Sequence, residues 1–198
     1  QQELKRSVVS TVSHQLKPPL TALRMSIHLL LEERVGALNP KQTELLLAAR
    51  EESERLVAII GDWLDLDRIA SGKAQLSLGP AAPRELVQEA MAPLLAEARD
   101  KGVGLENAVS EELPEVLADE PKIRQIFLNL FSNALRFTPP GGTIRVQAFL
   151  EERHVRFAVQ DTGAGILPEH LPHIFEPFYR GAAGDDKSGV GLGLAIVK

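Results

Sequence analysis

The 198-residue sequence predicts an all-α helical hairpin, closing as a four-helix bundle when two chains pair, followed by an α+β sandwich. Three observations predict it. Two long amphipathic stripes fill the first 72 residues, a Gly-Pro-Ala-Ala-Pro stretch at 79–83 interrupts the pattern, and short strands alternate with helices after it. The boundaries read as 1–72 and 73–198.

In the first helix Val9, Val12, Leu16, Leu20, Leu23, Ile27 and Leu30 recur at steps of three and four, which is one helix face. Residues 33–36 end it. Asn39 is placed to cap the second helix and Pro40 to open it. There Leu45, Ala49, Glu52, Leu56, Ile59, Trp63 and Leu66 form a heptad seam with one acidic intruder. Two helices alone bury little surface, so a dimer through 1–72 is expected. Beyond Ser71 and Gly72, residues 75–78 read as a short strand and 79–83 as a hinged linker. Helices are expected over 84–100 and 121–137, and strands near 105–108, 115–117, 143–150 and 154–160. The Gly- and Pro-rich span 162–191 reads as loops.

A net charge of −5 argues against a nucleic-acid binder. The absence of cysteine removes disulfides and thiolate metal sites. No apolar run approaches the roughly 18 residues of a membrane span. The chain starts at Gln1 and stops within an apolar helical run at 192–197, so both ends read as cut from a longer protein, with any membrane segment outside it.

His14 lies two positions from both Val12 and Leu16 and so faces away from the stripe. An exposed imidazole, with a pKa of about 6.5, is largely neutral at pH 7 and nucleophilic. Alone, it is more simply a surface histidine, as His28 on nearly the same face illustrates. Pro18 and Pro19 follow within the helical pattern; the stripe keeps its phase through Leu23 and Ile27, which predicts a kink rather than a break.

Three further segments carry chemistry. Asn129 and Asn133 share a helix face, with Arg136 a turn beyond; amide oxygens are hard ligands that suit Mg²⁺. Asp161, Gly163, Gly165 and Ile166 follow an apolar strand, where a carboxylate at the strand end can accept the exocyclic amine of adenine. Gly189, Gly191, Leu192 and Gly193 open a helical run, a composition that offers backbone N–H groups to phosphate. No Gly-Lys-Ser/Thr follows, so this is not a P-loop. Each segment alone also reads as an ordinary cap, turn or linker.

Together and in order they resemble a known family. Residues 13–21, Ser-His-Gln-Leu-Lys-Pro-Pro-Leu-Thr, resemble the H-box of sensor histidine kinases, and the three later segments resemble the N-, G1 and G2 boxes of their GHKL-type ATP-binding domain. Residues 175–180 resemble the F-box. The resemblance implies ATP and Mg²⁺ as cofactors, autophosphorylation of His14, and phosphotransfer to an aspartate of a response-regulator receiver domain. It implies that Asn133 binds Mg²⁺, that Asn129 and Arg136 approach the phosphates, and that Phe137 packs near the nucleotide. Asp161 would read adenine, Gly163 and Gly165 would line its pocket, Arg180 would approach the γ-phosphate, and 181–188 would form a lid. It places the chain as the cytoplasmic part of an inner-membrane sensor, with the ATP-binding domain continuing past Lys198.

Two departures stand out. The family carries an acidic residue after the histidine, and Gln15 cannot take a proton. That predicts slowed autophosphorylation, or another base or water in its place. Pro18 stands where the family has Thr or Asn, which counts against phosphatase activity more than against kinase activity. Two other readings remain: an ATP-binding scaffold without kinase activity, and an ATPase of the superfamily shared with gyrase and Hsp90.

Overall fold

The computed structural model describes residues 18–72, 75–181 and 190–198. The chain divides into two compact units, Gln1–Ala74 and Gln75–Lys198.

In the first unit, helix α1 runs over 18–31 among the described residues and α2 over Pro40–Ala70. The Pro18-Pro19 kink depends on residues before 18, outside the described residues. Asn39 and Gln42 form a reciprocal cap: the Gln42 N–H donates to Asn39 Oδ1, and the Asn39 N–H to Gln42 Oε1, each at 2.9 Å. Leu20 and Ile27 of α1 and Ser53 and Ile60 of α2 are buried, and Leu20, Val57 and Ile60 line one cleft between the helices. The heptad seam is offset from this contact. Leu45, Leu56 and Trp63 remain exposed, as do Leu23 and Leu30 on α1. The hairpin therefore consumes one face of α2 and leaves a second apolar face uncovered.

In the second unit the order is β1 (Gly79–Ala81), α3 (Pro83–Met91), a 3₁₀ turn (Ala92–Leu94), α4 (Leu95–Lys101), β2 (Gly104–Asn107), β3 (Val116–Ala118), α5 (Glu120–Phe137), β4 (Thr143–Glu151), β5 (His154–Asp161) and α6 (Gly193–Val197). The main sheet has the order β2-β4-β5, with β2 parallel and β5 antiparallel to β4. A separate antiparallel pair joins β1 to β3. Ile144 and Val146 of β4 are fully buried with Val87 of α3 and Phe131 of α5, whereas Arg145 between them pairs with Glu106 in solvent at 2.7 Å. Helices thus cover one face of the sheet, as the α+β reading requires.

Three expectations are corrected. The segment 79–83 is not a hinge, and 75–78 is not the strand. Gly79, Pro80 and Ala81 pair with Ala118, Leu117 and Val116, and Pro83 opens α3. Proline is compatible with a short edge strand because no N–H is needed on its outer side. The helix expected over 84–100 is two helices, because Pro93 lacks the N–H and falls in the intervening 3₁₀ turn.

Phe131, with no exposed surface, is the centre of this core. Its ring stacks on Phe127 at 5.4 Å, and Phe127 meets Phe157 edge-on at 5.2 Å. Replacing Phe131 by alanine is expected to cost about 3–5 kcal/mol, measured as a lower denaturant midpoint of the far-ultraviolet circular dichroism signal.

Candidate active site

Helix α5 is the spine of the site. Asp119 caps it, accepting the Lys122 N–H on Oδ1 at 3.1 Å, and Pro121 sits in the first turn. At its other end the Lys101 ammonium donates to the carbonyls of Leu135 and Arg136 at 2.6 and 2.8 Å. A cation there satisfies orphan carbonyls and complements the helix dipole. Both ends are thus fixed, and the register of Asn129, Asn133, Arg136 and Phe137 with them. Arg136 lies over the Phe137 ring at 5.1 Å, and Phe137 is 44% exposed.

The second segment meets the end of α5. Asp161 is the last residue of β5 and pairs with Ile144. The Gly163 N–H donates to Asp161 Oδ1 at 2.8 Å, closing a tight turn. A β-carbon on Gly163 would lie 2.7 Å from the Phe137 carbonyl oxygen, so this turn is pressed directly against the α5 C-terminus. The Thr162 hydroxyl accepts from the Thr143 N–H at 2.9 Å, and the Thr162 N–H donates to the Thr143 carbonyl at 3.1 Å. Gly165 has φ +72°, and Ile166 is half exposed beyond it.

The third segment meets α5 two turns earlier. A β-carbon on Gly193 would lie 3.4 Å from Asn129 Oδ1. Leu192 is buried. Gly191, at φ +76°, accepts the Phe178 N–H on its carbonyl at 2.8 Å. Its missing β-carbon would fall 2.6 Å from the Tyr179 carbonyl oxygen, so only glycine lets the 175–180 segment lie here. Phe178 itself adopts φ +66°, which costs a bulky side chain of order 1–3 kcal/mol and is the sort of strain found at functional sites.

The structure therefore brings Gly193 to Asn129 and Gly163 to Phe137, with Asn133 and Arg136 between, and ties Phe178 and Tyr179 to Gly191. Arg180 is exposed at the end of that tied segment. His14, Gln15 and Gly189, and nearly all of the expected lid, lie outside the described residues.

Nucleotide and Mg²⁺ suit what is present. Asn129 Nδ2 is buried with no protein partner among the described residues. A buried amide donor left unmatched is costly unless a ligand oxygen accepts it. Asn133 offers a hard amide oxygen, and Mg²⁺ characteristically takes few protein ligands and completes its shell with water and phosphate.

Sequence reasoning did not find Lys101, nor the brace behind Arg180. There His170 Nδ1 and the Tyr179 hydroxyl share a hydrogen bond of 2.7 Å, and the His173 ring lies 5.3 Å from that of Tyr179. A lysine beside a helix-ending glycine, and histidines in a loop, carry no local signal of these contacts.

Residues 4–72 match the family model described as the His Kinase A (phospho-acceptor) domain, and residues 118–198 the model described as histidine kinase-, DNA gyrase B- and HSP90-like ATPase. The chain is 34% identical to the histidine protein kinase DivJ of Caulobacter vibrioides, over 96% of this chain and 32% of the relative. It is 31% identical to the phosphate regulon sensor protein PhoR of Pseudomonas aeruginosa, over 100% of this chain and 44% of the relative. It thus spans less than half the length of either. The solved structure of full-length ShkA in complex with AMPPNP superposes with a TM-score of 0.80 at 35% identity, covering 96% of this chain and 39% of that one. The Acinetobacter baumannii histidine kinase AdeS shares the fold at 22% identity and a TM-score of 0.63, over 93% of this chain and 83% of that one.

Proposed function

The chain belongs to the sensor histidine kinases, and from that membership we propose that it is the kinase core of a two-component system, moving the γ-phosphoryl group of ATP to His14 and then to an aspartate of a receiver domain. The observation that carries the reading is the pair of close approaches on α5. Gly193 packs on Asn129 and Gly163 on Phe137, and the buried Asn129 amide at the first of these contacts awaits an acceptor.

Phosphoryl transfer asks the protein for alignment and charge neutralisation rather than covalent chemistry. Asp161 uses one carboxylate oxygen to hold the Gly163 turn and presents the other to the adenine amine. Asn129 donates to a phosphate oxygen, and Arg136 and Arg180 approach the phosphates. Asn133 would hold Mg²⁺, which when bound would offset charge on the phosphates. A ring nitrogen of His14 attacks the γ-phosphorus in line, the N–P bond forming as the bond to the bridging oxygen breaks and ADP leaves. Gln15 can hydrogen-bond but cannot take the proton, which passes to another base or to water. The resulting phosphoramidate transfers its phosphoryl group to the receiver aspartate.

The first unit serves as the dimerisation and phosphoacceptor domain. The exposed seam of Leu45, Leu56 and Trp63 supports pairing of two hairpins into a four-helix bundle. Among the described residues no helix is long and apolar enough to cross a membrane. We place this part of the protein on the cytoplasmic side of an inner-membrane sensor.

Incubation with γ-labelled ATP and Mg²⁺ tests the reading. Label that is lost in acid and kept in base supports it. Nucleotide binding without label overturns it in favour of a scaffold, and steady ATP turnover without label in favour of an ATPase.

A further inference from the structure

Asp119 uses both of its carboxylate oxygens, and only one serves the helix it caps. Oδ1 accepts the Lys122 N–H at 3.1 Å at the start of α5. Oδ2 accepts the backbone N–H of Ser77 at 2.8 Å, from a residue 42 positions earlier in the chain. Asp119 is 9% exposed and Ser77 is exposed, so this second bond is partly shielded from competing water. Ser77 belongs to the irregular stretch that leads into β1. Its neighbours Leu76 and Leu78 are 61% and 58% exposed, so their side chains anchor it weakly. Two residues later the ladder to β3 begins, with Gly79 opposite Ala118. The Asp119 carboxylate holds the entering chain ahead of that ladder.

We propose that Asp119 is a positioning residue for phosphoryl transfer: by clamping the Ser77 N–H it fixes the backbone of residues 77 and 78, close to where the chain enters the nucleotide-binding unit, and so shortens the free connection between the two units. The proposal rests on the kinase reading above. Release of the clamp would free residues 77 and 78 and lengthen that connection by about 7 Å. The loss of effective concentration from two extra residues is small. The larger effect is on orientation, since a misplacement of about 1 Å can cost as much as 100-fold in a transfer that depends on alignment.

Asp119→Asn separates the two tasks. Asparagine caps a helix as well as aspartate does, but it has one acceptor oxygen and its other head atom is a donor facing the Ser77 N–H. The test measures nucleotide affinity, KM for ATP, the maximal rate of His14 labelling, and amide hydrogen exchange in the same protein. The expected result is affinity and KM within about twofold of wild type and a labelling rate lower by about five- to tenfold. Exchange at Ser77 should be faster by about tenfold or more, with α5 amides unchanged. Asp119→Ala, which removes the cap as well, should add a loss of nucleotide affinity. Unchanged exchange at Ser77 in the Asn variant overturns the clamp. Faster exchange with an unchanged labelling rate overturns its role in transfer. Parallel loss of affinity and rate in the Asn variant shows that Asp119 serves α5 alone, and overturns it too. A wild-type chain that binds ATP but takes no label overturns the kinase reading instead, and Ser77 exchange still decides the clamp.

Discussion

His14→Ala is expected to reduce phosphate labelling to background while leaving nucleotide affinity within about twofold of wild type. The separation follows from where the parts lie. His14 belongs to the unit Gln1–Ala74, whereas Asn129, Asn133, Asp161 and the glycines belong to Gln75–Lys198. Alanine removes the imidazole proposed to take the phosphoryl group and leaves unchanged the residues proposed to hold the triphosphate. A loss of both label and affinity would mean that the imidazole supports the binding site. Label that survives would assign the acceptor to another residue. Gln15→Glu, made in parallel, places a carboxylate next in sequence to the proposed nucleophile. It is expected to raise the labelling rate by about tenfold or more if proton removal is limiting, because positioned general bases are worth roughly 10²–10⁴-fold. An unchanged rate would show that the proton leaves by a route that Gln15 does not touch. Filter-bound label and calorimetric nucleotide titration read both variants.

What could be read from sequence was what the chain decides locally. Asn39 and Pro40 mark the start of α2 because a cap needs only residues three apart, and the observed Asn39–Gln42 reciprocal bonds are that local device. The helix expected over 121–137 is α5, and the structure shows that its start is also set locally, by the Asp119 cap and Pro121 in the first turn. The site segments were legible as letters in an order, through resemblance, more than through geometry. Nothing in the spacing says that Gly193 will lie on Asn129 or Gly163 on the Phe137 carbonyl, since both contacts are made by the packing of α6 and of the β5 turn on α5.

Most of the failures have one cause, that contacts distant in sequence decide the structure. Gly79-Pro80-Ala81 reads as a linker because glycine and proline punctuate loops, yet its partner strand is Val116–Ala118, far along the chain. Pairing at that distance overrides composition. The Asp119–Ser77 and Lys101–Leu135 bonds are equally non-local. Pro93 differs: its missing N–H was visible in the sequence, and the split of the helix at that point follows from local chemistry. On α2 the sequence pattern marked a seam through Leu56 and Trp63, but the hairpin buries Ser53 and Ile60 instead. A helix with apolar residues on two faces has two partners to satisfy, and periodicity alone does not say which one is its own chain.

Gly163→Ala is expected to abolish useful nucleotide binding, with a fall in affinity of about 100-fold or more, although the same change at two neighbouring site glycines is far milder. At Gly163 the new methyl carbon would sit 2.7 Å from the Phe137 carbonyl oxygen, 3.1 Å from its carbonyl carbon, and 2.7 Å from Asp161 Oδ1. Two of those atoms are backbone at the end of α5, which Lys101 holds in place. The α5 side cannot yield cheaply, so the turn must move. With it goes the carboxylate that the Gly163 N–H orients. At Gly165 an added methyl meets nothing within 4 Å, and the cost is the left-handed backbone alone, φ +72°, about 1–2 kcal/mol. At Gly193 the nearest atom is Asn129 Oδ1 at 3.4 Å, the end of a side chain that can shift by a few tenths of an ångström. The expected order of damage to ATP affinity is therefore Gly163, then Gly165, then Gly193. Equal losses at all three would mean that the segments act as a flexible glycine-rich surface rather than as fitted contacts on α5. A Gly163→Ala chain that binds ATP normally would place adenine away from the Asp161 turn. Circular dichroism melting of each variant separates these effects from unfolding, because loss of the turn alone leaves the Phe127–Phe131 core intact.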